Sequence, residues 1–255
     1  GEKFAGLAAE AIDDLSRSAS GFSILMIDPI YDAGGIFTAP DGYLAELFAL
    51  ARKAGGLIVA DEVQSGLCRL GDHMWGFQDS GVTPDIVTMG KPMGNGHPIG
   101  VVVAKRWILK AFSKNNHYFN TFGGNPVSAA VGNAVLDVIE SEKILENVHR
   151  VGGQLKAGLE SLKEKHDTIG DVRGKGFFIG VELVSDRASR QAAPDSAHSI
   201  INAMRRKGVL VTVNGLYDNV IKIRPPLVFS SGDVERLLEV LSAALTELPT
   251  GGPCE

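Results

Sequence analysis

Cysteine is almost absent from this chain. Two occur in 255 residues, Cys68 and Cys254, too far apart to frame a disulfide scaffold or a C-x-x-C metal site. A reducing cytoplasm is therefore the expected compartment. Surplus positive charge is missing as well: 25 Lys and Arg face 30 Asp and Glu, for a net charge of −5. That removes the electrostatic case for nucleic acid or an anionic membrane as a partner. No apolar run reaches the length of a membrane span. No internal repeat or low-complexity tract is present. Neither G-x-G-x-x-G nor a P-loop follows a strand-like run, which argues against a nucleotide-binding domain. The six histidines show no metal-ligand spacing, so no metal is expected.

What is there reads as a globular protein, 44% hydrophobic and 22% charged, long enough for one or two domains. Phe4, Leu7, Ala8, Ala11, Ile12 and Leu15 recur at three- and four-residue intervals and predict a helix over 3–18. Short apolar runs predict buried strands at 22–27, 57–60, 84–89 and 100–104. Residues 32–35 read as a turn, and Asp41 as the cap of a helix that reaches Ala54 and stops at Gly55-Gly56. Strands separated by helices predict an α/β fold with a mostly parallel sheet. Asn125-Pro126 opens a helical stretch to about Arg150, and a second helix is expected over 153–164. Strand-like runs at 172–174, 176–183, 209–213 and 220–223, with helices at 196–207 and 232–248, predict a smaller C-terminal α+β domain. The expected organisation is a larger part over 1–150, a small domain over 151–248 and a flexible Pro/Gly-rich tail over 249–255.

Two segments carry chemistry. Leu57–Gln64 reads L-I-V-A-D-E-V-Q, a buried strand ending in a carboxylate, Asp61. Ligands in parallel α/β sheets bind at such strand ends. Thr88–Pro98 reads T-M-G-K-P-M-G-N-G-H-P and sets Lys91 just past an apolar strand, among Gly90, Gly94 and Gly96. Glycines there let a ligand approach the backbone. Taken alone, Asp61 is a turn acid and Lys91 an ordinary loop lysine. Together they are what a pyridoxal 5'-phosphate (PLP) enzyme needs: the lysine forms a Schiff base, and the acid keeps the ring nitrogen protonated so that the ring accepts electrons. Such a lysine is expected to be partly buried, which makes it a nucleophile and a base. Val63 is placed to pack on the ring face and Gln64 to hydrogen-bond the phenolic oxygen. Thr121-Phe-Gly-Gly-Asn-Pro126 offers a hydroxyl and glycines ahead of a helix, which suits a phosphate, although Gly-Gly-Asn-Pro is also plain turn chemistry. His97 reads equally well as site-lining or loop-stabilising, Trp75 and Phe77 as core packing, and Cys68 as an inert small residue.

These segments, with Pro84-Asp-Ile-Val before Lys91 and Pro225-Pro226 late in the chain, resemble the class III aminotransferases, which are fold type I PLP enzymes. The resemblance covers nearly the whole chain, in order. It implies Lys91 as the Schiff-base lysine, Asp61 as the partner of the pyridine nitrogen, Val63 as the stacking residue and Gln64 as the phenolate contact. It also implies that Thr121 reaches the cofactor phosphate of the neighbouring subunit in a homodimer. Around Lys91, and at 170–180 (G-D-V-R-G-K-G-F-F-I-G), the sequence is similar to the phospho-lyase branch, which acts on ethanolamine phosphate or 5-phosphohydroxy-lysine.

Departures from the family bear on the substrate, a small-molecule amine. In typical members an arginine before the Pro-Pro pair grips the substrate α-carboxylate; here Lys222 stands there, with Arg224 two residues on. The glutamate that often pairs with that arginine is Ala33. Lys222 and Arg224 are thus the expected substrate-binding residues. A lysine is a point charge and a poor match for a planar carboxylate. The expected activity is elimination of phosphate from a phosphorylated amino alcohol, with Lys91 taking the proton from the amine-bearing carbon and an enamine hydrolysing to aldehyde and ammonia. The alternative is an ω-aminotransferase that passes the amino group to a keto acid. The chain opens at Gly1 and enters an amphipathic pattern at once, so it is expected to be the C-terminal part of a larger enzyme. The family's Gly/Ser phosphate loop would precede it, and this part alone is expected to bind PLP weakly or not at all.

Overall fold

A computed structural model describes residues 1–248; the expected tail over 249–255, with Cys254, lies outside the described residues. The elements begin with α1 (Glu2–Arg17), β1 (Ile24–Ile27), the single turn α2 (Asp32–Gly35), α3 (Tyr43–Lys53), β2 (Leu57–Asp61), β3 (Ile86–Met89), β4 (Val101–Ala104), α4 (Arg106–Asn115) and α5 (Pro126–Ser141). They continue with α6 (Ile144–Lys165), β5 (Ile169–Lys175), β6 (Phe178–Asp186), β7 (Gln191–Ala192), α7 (Pro194–Arg206), β8 (Thr212–Asn214), β9 (Val220–Ile223) and α8 (Ser231–Thr246). The chain divides into two compact units. The first takes residues 1–29, 39–68 and 73–144; the second takes 30–38, 69–72 and the residues from 145 on.

The first unit is the α/β part. Its sheet runs β1-β2-β3-β4, with β1-β2 and β2-β3 parallel and β3-β4 antiparallel. The apolar runs explain the strands: Ile58, Val59 and Ala60 are all buried, as a parallel strand covered on both faces requires. Helix α3 buries Leu44, Leu47, Phe48 and Ala51 and carries the chain from β1 back to β2. Its start differs from expectation: the capping position is Gly42, with no side-chain cap, and Asp41 is exposed one residue too early. Helix α4, unexpected from sequence, and α5 contain no buried residue.

The second unit is the α+β part. Its sheet runs β5-β6-β9-β8 with every pairing antiparallel, and β7 adds to β6. Val148, Val151, Leu155 and Leu159 of α6 are wholly buried at helical spacing. Here two expectations fail. The break expected between about Arg150 and residue 153 is absent: α6 runs through Gly152-Gly153, and the break falls at Glu142 and Lys143, the latter at φ 51°. The reason is contact: a Cβ on Gly152 would stand 2.8 Å from the backbone of Gly176, so glycine is there to let the helix approach that turn. Gly152→Ala is expected to destabilise the protein by about 1–3 kcal/mol despite alanine's better helix propensity, read as a lower urea midpoint. The second failure is at 209–213, where only Thr212–Asn214 is strand.

Candidate active site

Strands β2 and β3 are parallel neighbours in the register Asp61 to Thr88, so both end at the same edge of the sheet. Asp61 is the last residue of β2 and is half-buried. Its Oδ1 accepts the Val63 N–H at 3.0 Å, a local turn that fixes the direction of Val63 and Gln64. On β3 the chain passes Met89 and Gly90 to Lys91, which opens a 3-10 turn over Lys91–Gly94. A Cβ on Gly90 would lie 3.7 Å from Val63 Cγ2, so Val63 and the approach to Lys91 are close. The structure therefore brings Asp61, Val63, Gln64 and Lys91 to one strand-end region.

Lys91 adopts φ 39°, in the left-handed region that is unusual for a side-chain-bearing residue. Its ammonium makes no hydrogen bond or ion pair among the described residues. It is exposed, which corrects the expectation of partial burial. The physical reason lies in its neighbours: Gly90, Gly94 and Gly96 carry no side chains that could cover it.

Glu62 is the residue that the motif reading passed over. Its carboxylate is buried, yet it accepts Ser65 Oγ–H at 2.8 Å, Gly76 N–H at 2.7 Å and Phe77 N–H at 2.7 Å. Burial raises its pKa above the ordinary 4.5, with the Asp28 charge adding to that, while the three hydrogen bonds oppose it. The Glu62 N–H also reaches the Thr88 carbonyl at 2.9 Å. Glu62 thus ties the Asp61–Gln64 segment both to β3 and to the turn at 75–77. The available signal was its position: a charge beside an apolar run, between two motif residues.

His97 has a stabilising contact. Its Nε2 lies 2.8 Å from Ser128 Oγ, and Ser128 N–H is capped by Asn125 Oδ1 at 2.9 Å. The loop after Lys91 is thereby joined to the first turn of α5. Thr121, four residues before that cap, is exposed and forms no hydrogen bond with Asp61, Gln64 or Lys91 among the described residues.

In the second unit, Lys222 does not stand alone. Its Nζ is 2.6 Å from Asp32 Oδ1, and the two side chains are only 16% and 11% exposed. Asn214 Nδ2 donates to the same Oδ1 at 2.9 Å and to the Asp32 carbonyl at 2.7 Å. The sequence shows Ala33 where the family has an acid; the fold supplies that acid one position earlier, from Asp32.

The first unit's groups suit pyridoxal phosphate in kind: an uncommitted primary amine for an aldehyde, a carboxylate for a pyridine nitrogen, an amide for a phenolic oxygen and an apolar side chain for a ring face. Thr88 Oγ1, directly across from Asp61, is buried without a hydrogen-bond partner among the described residues, as at an edge where a polar ligand would complete the bonding. Such a strand-end acid and lysine are the kind of pair that an enzyme of the PLP class needs.

The profile of the family "Aminotransferase class-III" matches residues 4–245, and the chain belongs to that family. Its cofactor is pyridoxal 5'-phosphate, and its large domain has the fold type I architecture of which the first unit is a part. The chain is 44% identical over 250 residues to "Alanine--glyoxylate aminotransferase 2 homolog 2, mitochondrial" of Arabidopsis thaliana, covering 97% of this chain and 51% of that protein. It is 39% identical over 234 residues to "Alanine--glyoxylate aminotransferase 2, mitochondrial" of Homo sapiens, covering 91% and 45%. Among solved structures, a phospholyase from Arthrobacter in complex with phosphoethanolamine superposes with a TM-score of 0.94 at 41% identity, covering 97% of this chain and 59% of that one. The chain thus spans about half the length of the relatives it matches. Among the described residues no helix is long and apolar enough to cross a membrane.

Proposed function

We propose that this chain is part of a PLP-dependent phospho-lyase acting on a phosphorylated amino alcohol such as phosphoethanolamine. The observation that carries this reading is the Lys222–Asp32 pair. An ammonium already neutralised at 2.6 Å by a carboxylate, in a mostly buried setting, is a poor grip for a substrate carboxylate. A substrate without a carboxylate next to its amine fits that arrangement, and the likeness to the Arthrobacter phospholyase supports it.

Bound at the strand ends, pyridoxal phosphate supplies an aldehyde for amines and a sink for electrons. Asp61 holds the proton at the pyridine nitrogen, Val63 covers a ring face and Gln64 orients the phenolic oxygen. Lys91 would hold the cofactor through its amine, and that amine, when free, would take the proton from the amine-bearing carbon of the substrate. Loss of phosphate from the adjacent carbon balances that proton, and water then releases an aldehyde and ammonia. Of the two expected substrate-binding residues, Arg224 is the one proposed for the substrate's anionic end, since Asp32 neutralises Lys222.

We further propose a homodimer in which Thr121 serves the neighbouring subunit's cofactor phosphate. Thr121 lies on an exposed loop with Phe119 (79% exposed) and Phe122 (80%), apolar surface of the kind that a partner covers. The net charge of −5 gives no electrostatic case for nucleic acid or an anionic membrane as a partner, and neither is proposed. A reducing compartment suits the buried free thiol of Cys68; the cytoplasm is one choice, and relatives whose names place them in mitochondria supply another.

The test is release of inorganic phosphate and ammonia, one for one, from phosphoethanolamine with no keto acid present. The second reading, an ω-aminotransferase, is favoured by the identity to alanine–glyoxylate aminotransferase 2 proteins. Turnover that depends on a keto acid and leaves the phosphate ester intact would establish it instead.

A further inference from the structure

Lys91 and Thr121 do not touch, yet the segments that carry them share one chain of polar contacts. Lys91 opens the 3-10 turn over Lys91–Gly94, in which the Met93 N–H donates to the Gly90 carbonyl at 3.1 Å. His97 is folded back on that turn. Its N–H donates to the Gly94 carbonyl at 2.9 Å, and a Cβ on Gly94 would stand 3.1 Å from the His97 Cβ. The His97 ring then crosses to α5, with Nε2 2.8 Å from Ser128 Oγ.

Asn125 carries the chain onward. Its Oδ1 accepts the Ser128 N–H at 2.9 Å, which fixes the oxygen end of the amide. The other end is therefore the donor, and Nδ2 serves both Ser128 Oγ at 3.0 Å and the Phe122 carbonyl at 2.7 Å. Ser128 Oγ, already accepting from Asn125, keeps its own hydrogen for His97 Nε2. Phe122 follows Thr121 directly, so the chain ends at the residue next to the threonine. The Thr121 loop has few other anchors. Phe119 and Phe122 are exposed, and the Phe122 and Gly123 N–H groups bond within the loop, to Asn120 Oδ1 at 3.2 and 3.0 Å. A segment so poor in apolar contacts is placed by its hydrogen bonds.

We propose that His97 is a positioning residue: through Ser128 and Asn125 it sets the place of the Thr121 loop from the turn of Lys91. This rests on the reading that Thr121 serves the neighbouring subunit's cofactor phosphate, and it deepens that reading. In such a homodimer the lysine turn of one subunit governs the grip on the phosphate of its neighbour's cofactor. The group recognised is a phosphate monoester, so pyridoxal, which lacks it, should be blind to His97.

Binding of PLP and of pyridoxal is followed by visible absorbance, and the loop by 15N order parameters of the cofactor-free protein. His97→Leu, which removes the ring nitrogens, is expected to weaken PLP about two- to tenfold and to leave pyridoxal unchanged. In the same variant the order parameters of Phe122 and Gly123 should fall from about 0.85 toward about 0.6. Ser128→Ala should do both. His97→Gln, whose amide can reach Ser128 Oγ, should restore both. Equal weakening of PLP and pyridoxal, with a lower melting temperature, would make His97 merely structural and overturn the proposal. So would His97→Leu with wild-type order parameters and the wild-type preference for PLP. Should Thr121→Ala lose that preference while His97→Leu keeps it, the Thr121 reading stands and the proposal falls. A preference that survives Thr121→Ala, or is absent from wild type, sinks the Thr121 reading and the phosphate role of His97 with it; a fall in order in His97→Leu then still upholds the tie between the two loops.

Discussion

Lys91→Ala is expected to lower turnover roughly ten-thousand-fold or more and to remove the visible absorbance of lysine-linked cofactor. The size of the effect follows from the two tasks proposed for one nitrogen: the link to the cofactor and the removal of the substrate proton. The fold should be indifferent. The Lys91 ammonium makes no hydrogen bond or ion pair among the described residues, and the side chain is exposed, so stability should shift by no more than about 0.5 kcal/mol. The backbone at φ 39° is equally unfavourable for lysine and alanine, so the substitution does not alter strain either. Lys91→Arg should fail as completely, since a guanidinium keeps the charge but stays protonated and is no nucleophile. A Lys91→Ala protein that keeps the visible band on adding PLP would show that another amine holds the cofactor. Absorbance, phosphate release and a melting curve on the same sample separate loss of chemistry from loss of fold.

The sequence was informative where structure is local. The runs ending at Asp61 and Met89 are apolar and short, so they read as buried strands, and their ends hold Asp61 and Lys91. Parallel pairing then places the two ends side by side, which strand-end logic anticipates. What depended on distant contact was not legible. The helix break expected after about Arg150 fails because the Gly176 backbone that requires glycine at 152 comes from elsewhere in the chain. Asp32 reads as a turn residue because its partner Lys222 lies 190 positions on. Glu62 reads as filler in a motif because its partners, Gly76 and Phe77, arrive from the following loop. The compact units show the same effect, since residues 30–38 and 69–72 belong with the later part, where Ile30, Ile36 and Leu70 pack on Phe178.

The second large effect is expected at Asp61, and it differs in kind. Asp61→Asn should reduce turnover by about a hundred- to ten-thousand-fold while leaving cofactor attached. Asparagine retains an Oδ1 that can accept the Val63 N–H, now at 3.0 Å from the carboxylate, so Val63 and Gln64 keep their places. Main-chain pairing with Thr88 is also untouched. Only the negative charge is removed, and with it the group proposed to hold a proton at the pyridine nitrogen. Solution must then supply that proton, so the remaining activity should be displaced to the acid side of the wild-type pH profile. Because Lys91 is intact, the visible band should persist on adding PLP, in contrast with Lys91→Ala. Asp61→Ala removes both the charge and the acceptor for Val63, and should fall further than Asp61→Asn through the loosened loop. Turnover within tenfold of wild type in Asp61→Asn, at an unshifted pH optimum, would mean that the carboxylate only shapes the turn at the end of β2.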